Sequence, residues 1–194
     1  MFFGFDTTFL FIAIIGIILF SLLFFKRSID RTSTLFLSGF YFIFSIYALQ
    51  TYVIEAGLLS MYPWFYAWPL PIYSVIAVPV YFYFITIIDD VFKWQWKYLL
   101  LFIPFGLSCL DVFVLFSKPI TVYTTIVKNA DAYPGERFSV VYGFLSLTQH
   151  SILRHLWQFI ALLAILPKLR NFISMRSSEK LKIILNRWLV FFYI

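Results

Sequence analysis

The sequence predicts an all-α, polytopic membrane bundle, and three observations carry that expectation. Of 194 residues, 62% are hydrophobic, and the mean hydropathy is +0.91. Charged residues make up 12%, about half the share usual in a soluble domain. The apolar residues fall in runs near the ~20 residues that a helix needs to cross a hydrocarbon core. These values exclude a soluble globular enzyme, a disordered tail and a disulfide-stapled secreted domain. Cys109 is the only cysteine, so the chain has no internal disulfide and no Cys-x-x-Cys motif; within its apolar run it reads as a small core residue.

Five full transmembrane helices plus a truncated sixth follow in order, in a single membrane domain over 1–194. The first spans about Thr7 to Phe25, with Lys26, Arg27 and Arg31 just behind it and no basic residue ahead. It is too long for a signal core and lacks a small-residue cleavage site. The second runs from about Thr34 to Ile54 with Ser33 as N-cap. A loop from Glu55 to Tyr66 follows, with Glu55 read as solvated. The third covers about Ala67 to Ile88, with Pro69 and Pro71 at its start and Pro79 predicting a mid-span kink. In the next loop Trp94 and Trp96 read as interface anchors, and Asp89 and Asp90 as a solvated helix end balancing Lys93 and Lys97.

The fourth helix is expected over about Tyr98 to Phe116 and contains Pro104 and Asp111. In the long loop from Ser117 to Arg137, the β-branched stretch ITVYTTIV suggests a short strand, and Tyr133 to Glu136 a turn. The fifth helix, about Phe138 to Leu166, is longer than a bilayer needs and must tilt or project. A basic segment from Pro167 to Lys182 leads to a sixth helix over Ile183 to Ile194, whose 12 residues reach only about 18 Å. The chain is therefore expected to be the front part of something longer.

Placing the N-terminus outside puts ten basic residues in inside segments and three in outside loops, the positive-inside bias of a bacterial inner-membrane protein. The inside ten are Lys26, Arg27, Arg31, Lys93, Lys97, Lys168, Arg170, Arg176, Lys180 and Lys182; the outside three are Lys118, Lys128 and Arg137.

Ionisable groups within a span are costly and mark candidate sites. The fourth helix has Asp111, and the fifth has QHSILRHLWQ from Gln149 to Gln158. His150, Arg154 and Gln158 recur at i, i+4 and i+8, on one face, and His155 lies about 100° around from Arg154. Asp111, His150, Arg154, His155 and Gln158 are thus the candidate ligand-binding residues, with Asp111 as counter-charge to Arg154 or His150. The competing reading is an ion pair that simply holds two helices together. Haem would need ligands from facing helices, and zinc three or four converging ones; both histidines lie on one helix with diverging faces. No Ser-His-Asp grouping, phosphate loop or HExxH motif is legible, so no cofactor, metal or enzymatic activity is expected. The aromatic runs YPWFYAWP and VPVYFYF suit either a pocket for a hydrophobic ligand or interfacial packing.

Three stretches resemble the N-terminal membrane domain of AraC-type transcriptional regulators of Bacteroidetes-like bacteria. They are VPVYFYF from Val78 to Phe84, KYLLLFIPF from Lys97 to Phe105, and KLKIILNRWLVFF from Lys180 to Phe192. Val78 stands where that family usually has Gly, and Leu101 where it has His. Similar membrane domains occur on some histidine kinases and LytTR-type regulators. The resemblance implies a membrane-embedded signal-sensing domain without the family's helix-turn-helix. Its expected partners are the lipid bilayer, a small hydrophobic or periplasmic ligand and a second copy in a homodimer, with no nucleic acid on this chain. A small transporter or channel subunit, or a non-functional fragment, is the alternative.

Overall fold

The computed structural model describes residues 5–26, 31–89, 92–133 and 135–175. Its α-helices are α1 (Phe5–Phe25), α2 (Arg31–Glu55), α3 (Pro69–Ser74), α4 (Ala77–Asp89), α5 (Ile103–Phe116), α6 (Ile120–Ala132) and α7 (Leu147–Met175). Short 3-10 turns cover Pro63–Phe65, Trp96–Phe102 and Glu136–Ser139. Among the described residues no strand forms, only an isolated antiparallel bridge between Val141 and Ser146. Five segments are long and apolar enough to cross a membrane: Thr7–Phe25, Arg31–Glu55, Pro63–Asp89, Trp96–Phe116 and Leu147–Phe172. The sixth helix expected over Ile183 to Ile194 lies outside the described residues.

The bundle is built by pairing. α1 packs on α2, α2 on α3 and α4, α3 on α5, and α7 on both α4 and α5. α6 lies across one end, where Tyr123 Oη donates to Pro63 O at 2.5 Å and Arg137 meets Glu55 at 3.4 Å. At the opposite end Lys168 on α7 pairs with Asp89 on α4 at 2.5 Å. Glu55 is exposed, as expected, and also pairs with Arg137, whereas Asp89 balances Lys168 rather than Lys93 and Lys97. Asp90 lies outside the described residues.

Several element boundaries also differ from the sequence expectation. The third span breaks at Val75 and Ile76, four residues before Pro79. Pro79 cannot donate to the Val75 carbonyl, so Val78 N takes it instead at 2.9 Å, and the chain tightens there. The fourth span starts as the 3-10 turn, with Pro104 in the first turn of α5. Ser33 lies within α2 rather than ahead of it.

The stretch expected as a strand is α6. Tyr123, Val127 and Ala130 are its buried residues, a spacing of four and three that fits a helix face. Thr124 and Thr125 donate to Thr121 O, which satisfies their hydroxyls without leaving the helix. The turn expected at Tyr133 to Glu136 closes with Glu136 N donating to Tyr133 O at 3.0 Å.

The fifth span begins at Leu147, not near Phe138, because Ser146 and Gln149 form a reciprocal cap. Ser146 N donates to Gln149 Oε1 at 2.7 Å, and Gln149 N donates to Ser146 Oγ at 3.3 Å. α7 then runs past Leu166 and through Pro167 to Met175.

Candidate functional site

The five candidate residues divide into two neighbouring groups. The first is a sealed polar network between α5, α7 and α3. Asp111 is 1% exposed and His150 3%. His150 Nε2 lies 2.7 Å from Asp111 Oδ2, which also accepts from Leu145 N at 2.9 Å. Asp111 Oδ1 accepts from Phe144 N at 2.7 Å. The carboxylate is thus held by two backbone amides and an imidazole, the multiple satisfaction that a buried charge requires.

Gly143 makes this approach feasible. A Cβ there would lie 2.7 Å from Asp111 Oδ1 and 2.9 Å from Val114 Cβ, so only hydrogen fits. The loop before α7 therefore folds onto Asp111 and aims two successive N–H groups at it.

On its other side His150 Nδ1 is 3.3 Å from Ser108 Oγ, which is 2.8 Å from Ser74 Oγ. A Ser-His-Asp line therefore exists, contrary to the sequence expectation. Ser108 and Asp111 lie three apart on one face of α5, a spacing that was available as a signal. The line is not arranged for nucleophilic catalysis. Ser108 is fully buried, and both serine hydroxyls can donate to their own helix carbonyls, Pro104 O and Leu70 O, each at 2.7 Å. With Nε2–H donated to Asp111, a neutral His150 accepts from Ser108; a protonated one donates to it. The network therefore ties three helices together in either protonation state.

The second group is Arg154, His155 and Gln158, which line a cavity of about 380 Å³ between α2, α4 and α7. Its walls are otherwise mostly aliphatic and aromatic, including Phe40, Phe44, Val80 and Phe84. Arg154 is 8% exposed, and its guanidinium carbon sits 4.9 Å from the ring centres of both Tyr47 and Tyr73. Those ring faces attract a cation but supply no hydrogen-bond acceptor of the kind that its N–H groups can take in a fork. No carboxylate or other hydrogen-bond acceptor pairs with Arg154 among the described residues, and Asp111 is taken by His150. Of the two counter-charge assignments considered for Asp111, the structure realises the one with His150.

His155 is more exposed, and its Nδ1–H donates to Ser151 O at 2.7 Å, which leaves Nε2 without a partner among the described residues. Beyond Arg154, toward the α6 end, a smaller cavity of about 60 Å³ is lined by Gln50, Tyr66, Arg137 and Tyr142 among others. Burial pushes the Tyr142 phenol well above its ordinary range. Arg154 borders both cavities.

The aromatic runs take different places. Tyr81, Tyr83 and Phe84 from VPVYFYF line the larger cavity, whereas YPWFYAWP forms the packed turn under α6. No group of three or more His, Cys, Asp or Glu side chains converges as a metal site among the described residues. Comparison of the chain with protein-family models, with curated proteins and with solved structures finds no match.

Proposed function

We propose that this chain is the membrane-embedded sensing domain of a bacterial regulator of transcription, seated in the inner membrane with the N-terminus outside. The observation that carries this reading is the cavity between α2, α4 and α7 with Arg154 at its polar end. Ligand pockets are typically concave, mostly apolar and ~300–1,000 Å³, with a few polar groups that fix orientation. The elements around this one suit a two-state device. α4 starts at the break over Val75 and Ile76, and α7 contacts α4 on the cavity side and α5 at the Asp111 network. A ligand that binds two arrangements of α4 against α7 unequally shifts their populations, and a cytoplasmic partner reads the shift. The counts of basic residues and the resemblance to AraC-type membrane domains support the orientation and the regulatory output.

The test is genetic. Ala161, 3% exposed, lies on the cavity wall, and Ala161→Phe fills the space. In native cells, with protein levels checked by immunoblot, this allele should change a defined set of transcripts that a deletion of the gene also changes. An unaltered transcript profile in both strains would defeat the regulatory reading.

A further inference from the structure

We infer, resting on that reading of the cavity, that its occupant is a single-chain amphiphile with an anionic head group, carboxylate or phosphate, and that Arg154 is the residue that reads the head. The first support is charge. Arg154 is 8% exposed as a residue and lines the cavity, so its charge facing an apolar tail would carry a desolvation cost that an anion would offset. Arg154 has none within hydrogen-bonding or ion-pair distance among the described residues, and the Tyr47 and Tyr73 rings beside it offer π-contact but no anionic charge. Its five N–H donors match a planar carboxylate or a phosphate in a bidentate fork.

The second support is the company Arg154 keeps. His155 and Gln158 line the same cavity, and among the described residues no Asp or Glu does. His155 Nε2 and the Gln158 amide can both donate to a head-group oxygen, the histidine when protonated. An ammonium head would find no carboxylate there, and a neutral head would leave the arginine charge uncompensated.

The third support is shape. The lining follows α7 from Arg154 to Leu169, 15 residues and so about 22 Å at 1.5 Å per residue. One leaflet of a ~30 Å hydrocarbon core is about 15 Å deep, so an acyl chain of leaflet length fits along the groove. Beyond the head region the walls are mostly apolar, with Leu37, Phe40, Ile76, Leu162 and Ile165 among them, beside the amphipathic rings of Tyr81 and Tyr83. Phe44, also in the wall, is 38% exposed, so the groove borders the surface that lipid would cover. Arg154 lies seven residues into α7, about 10 Å from the helix start, which suits a head near one membrane face and a tail running inward.

Equilibrium binding to the full chain in neutral maltoside micelles tests this, with four radiolabelled probes: palmitate, 1-palmitoyl lysophosphatidate, monopalmitin and hexadecylamine. Palmitate, lysophosphatidate or both should bind saturably, at one per chain, and at least about tenfold more tightly than monopalmitin or hexadecylamine. The stronger of the two anions identifies the head chemistry. Arg154→Gln should remove that tenfold preference, and Arg154→Lys should restore part of it, since a point charge replaces the fork. Circular dichroism checks that each variant is folded.

If monopalmitin binds wild type as tightly as the anions, the anionic-head inference is overturned while the cavity remains a ligand site. The same holds if folded Arg154→Gln keeps full preference for them. If no probe binds folded wild-type protein, the inference fails and the sensing reading loses its site. If an anion binds as expected but the Ala161→Phe and deletion strains leave transcripts unaltered, the ligand stands and the regulatory reading alone fails.

Discussion

The contact of α1 with α2 and the contact of α5 with α7 solve the same problem by opposite means. Between helices in lipid there is little hydrophobic drive, because the acyl chains are as apolar as leucine. α1 and α2 answer with small residues. Ala13 is 1% exposed, Ser45 0% and Ala48 2%, and Gly16 packs so closely that a Cβ on it would meet Ser45 Oγ. The Ser45 hydroxyl donates to Tyr41 O in its own helix at 2.6 Å, so it presents a small surface and no open polar group. The other side of α1, with Phe11, Ile15 and Leu22 more than half exposed, suits lipid. α5 and α7 answer with polarity, through the Asp111, His150 and Ser108 network and the two loop amides. Small-residue contact depends on shape along a whole face, whereas a polar pin depends on a few atoms whose loss leaves others unpaired.

That difference orders the expected effects of mutation. Asp111→Ala should be the most damaging, since it strands Phe144 N, Leu145 N and His150 in a dry interior. A loss of about 3–5 kcal/mol is expected, the cost of removing one partner from a buried pair. Reversible unfolding in mixed detergent micelles measures it. His150→Leu, which leaves the carboxylate its two amide donors, should cost less than half as much. Equal losses from the two would mean that the loop amides do not hold the carboxylate.

Gly16→Leu comes next. It places a branched chain where Ser45 stands and should cost about 1–3 kcal/mol, as overpacking does. Hydrogen exchange should show the loss confined to α1 and α2. Faster exchange in α5 and α7 as well would show that the two contacts are one cooperative unit rather than two.

Much of this arrangement was legible in the sequence, and the polar half more so than the apolar half. Asp111, His150 and Arg154 stand out because ionisable residues are rare in a 12% charged chain. Helical spacing put His150 and Arg154 on one face, but it could not say that Asp111, on another helix, meets that face. What spacing could not supply was the partition, with His150 turned to α5 and Arg154 to the cavity. That depends on the loop over Gly143 folding back, a tertiary event. The role of Ser108 stayed hidden because a serine in an apolar helix is usually satisfied by its own backbone, as this one also is. Gly16 and Ser45 gave no periodic signal in a helix whose every face is apolar. The start of α7 was readable after all, in Ser146 and Gln149 at N-cap and N3 spacing. α6 was misread because β-branched composition spoke for a strand while the burial of Tyr123, Val127 and Ala130 decided for a helix.

α6 offers the finest comparison, because it is pinned by a polar contact outside the spans. The Tyr123 phenol donates to Pro63 O, and burial raises its pKa from 10.0 to about 12. The raised value fixes the sign of the pH dependence. Below pH 10 the phenol is protonated whether α6 is docked or released, so its contribution is constant. Between pH 10 and about 12 the released phenol ionises while the docked one does not, so docking weakens as pH rises through that window. Tyr123→Phe should cost about 1 kcal/mol at pH 8, from the lost hydrogen bond, and should flatten the alkaline loss. Denaturant unfolding of both proteins at pH 8 and pH 11 separates the two effects. A polar pin on the membrane rim, where water can replace a lost partner, should thus be worth a fraction of the buried one at Asp111. Parallel alkaline losses in wild type and Tyr123→Phe would move the titrating group elsewhere, with Tyr142 next in line because its phenol is also raised by burial.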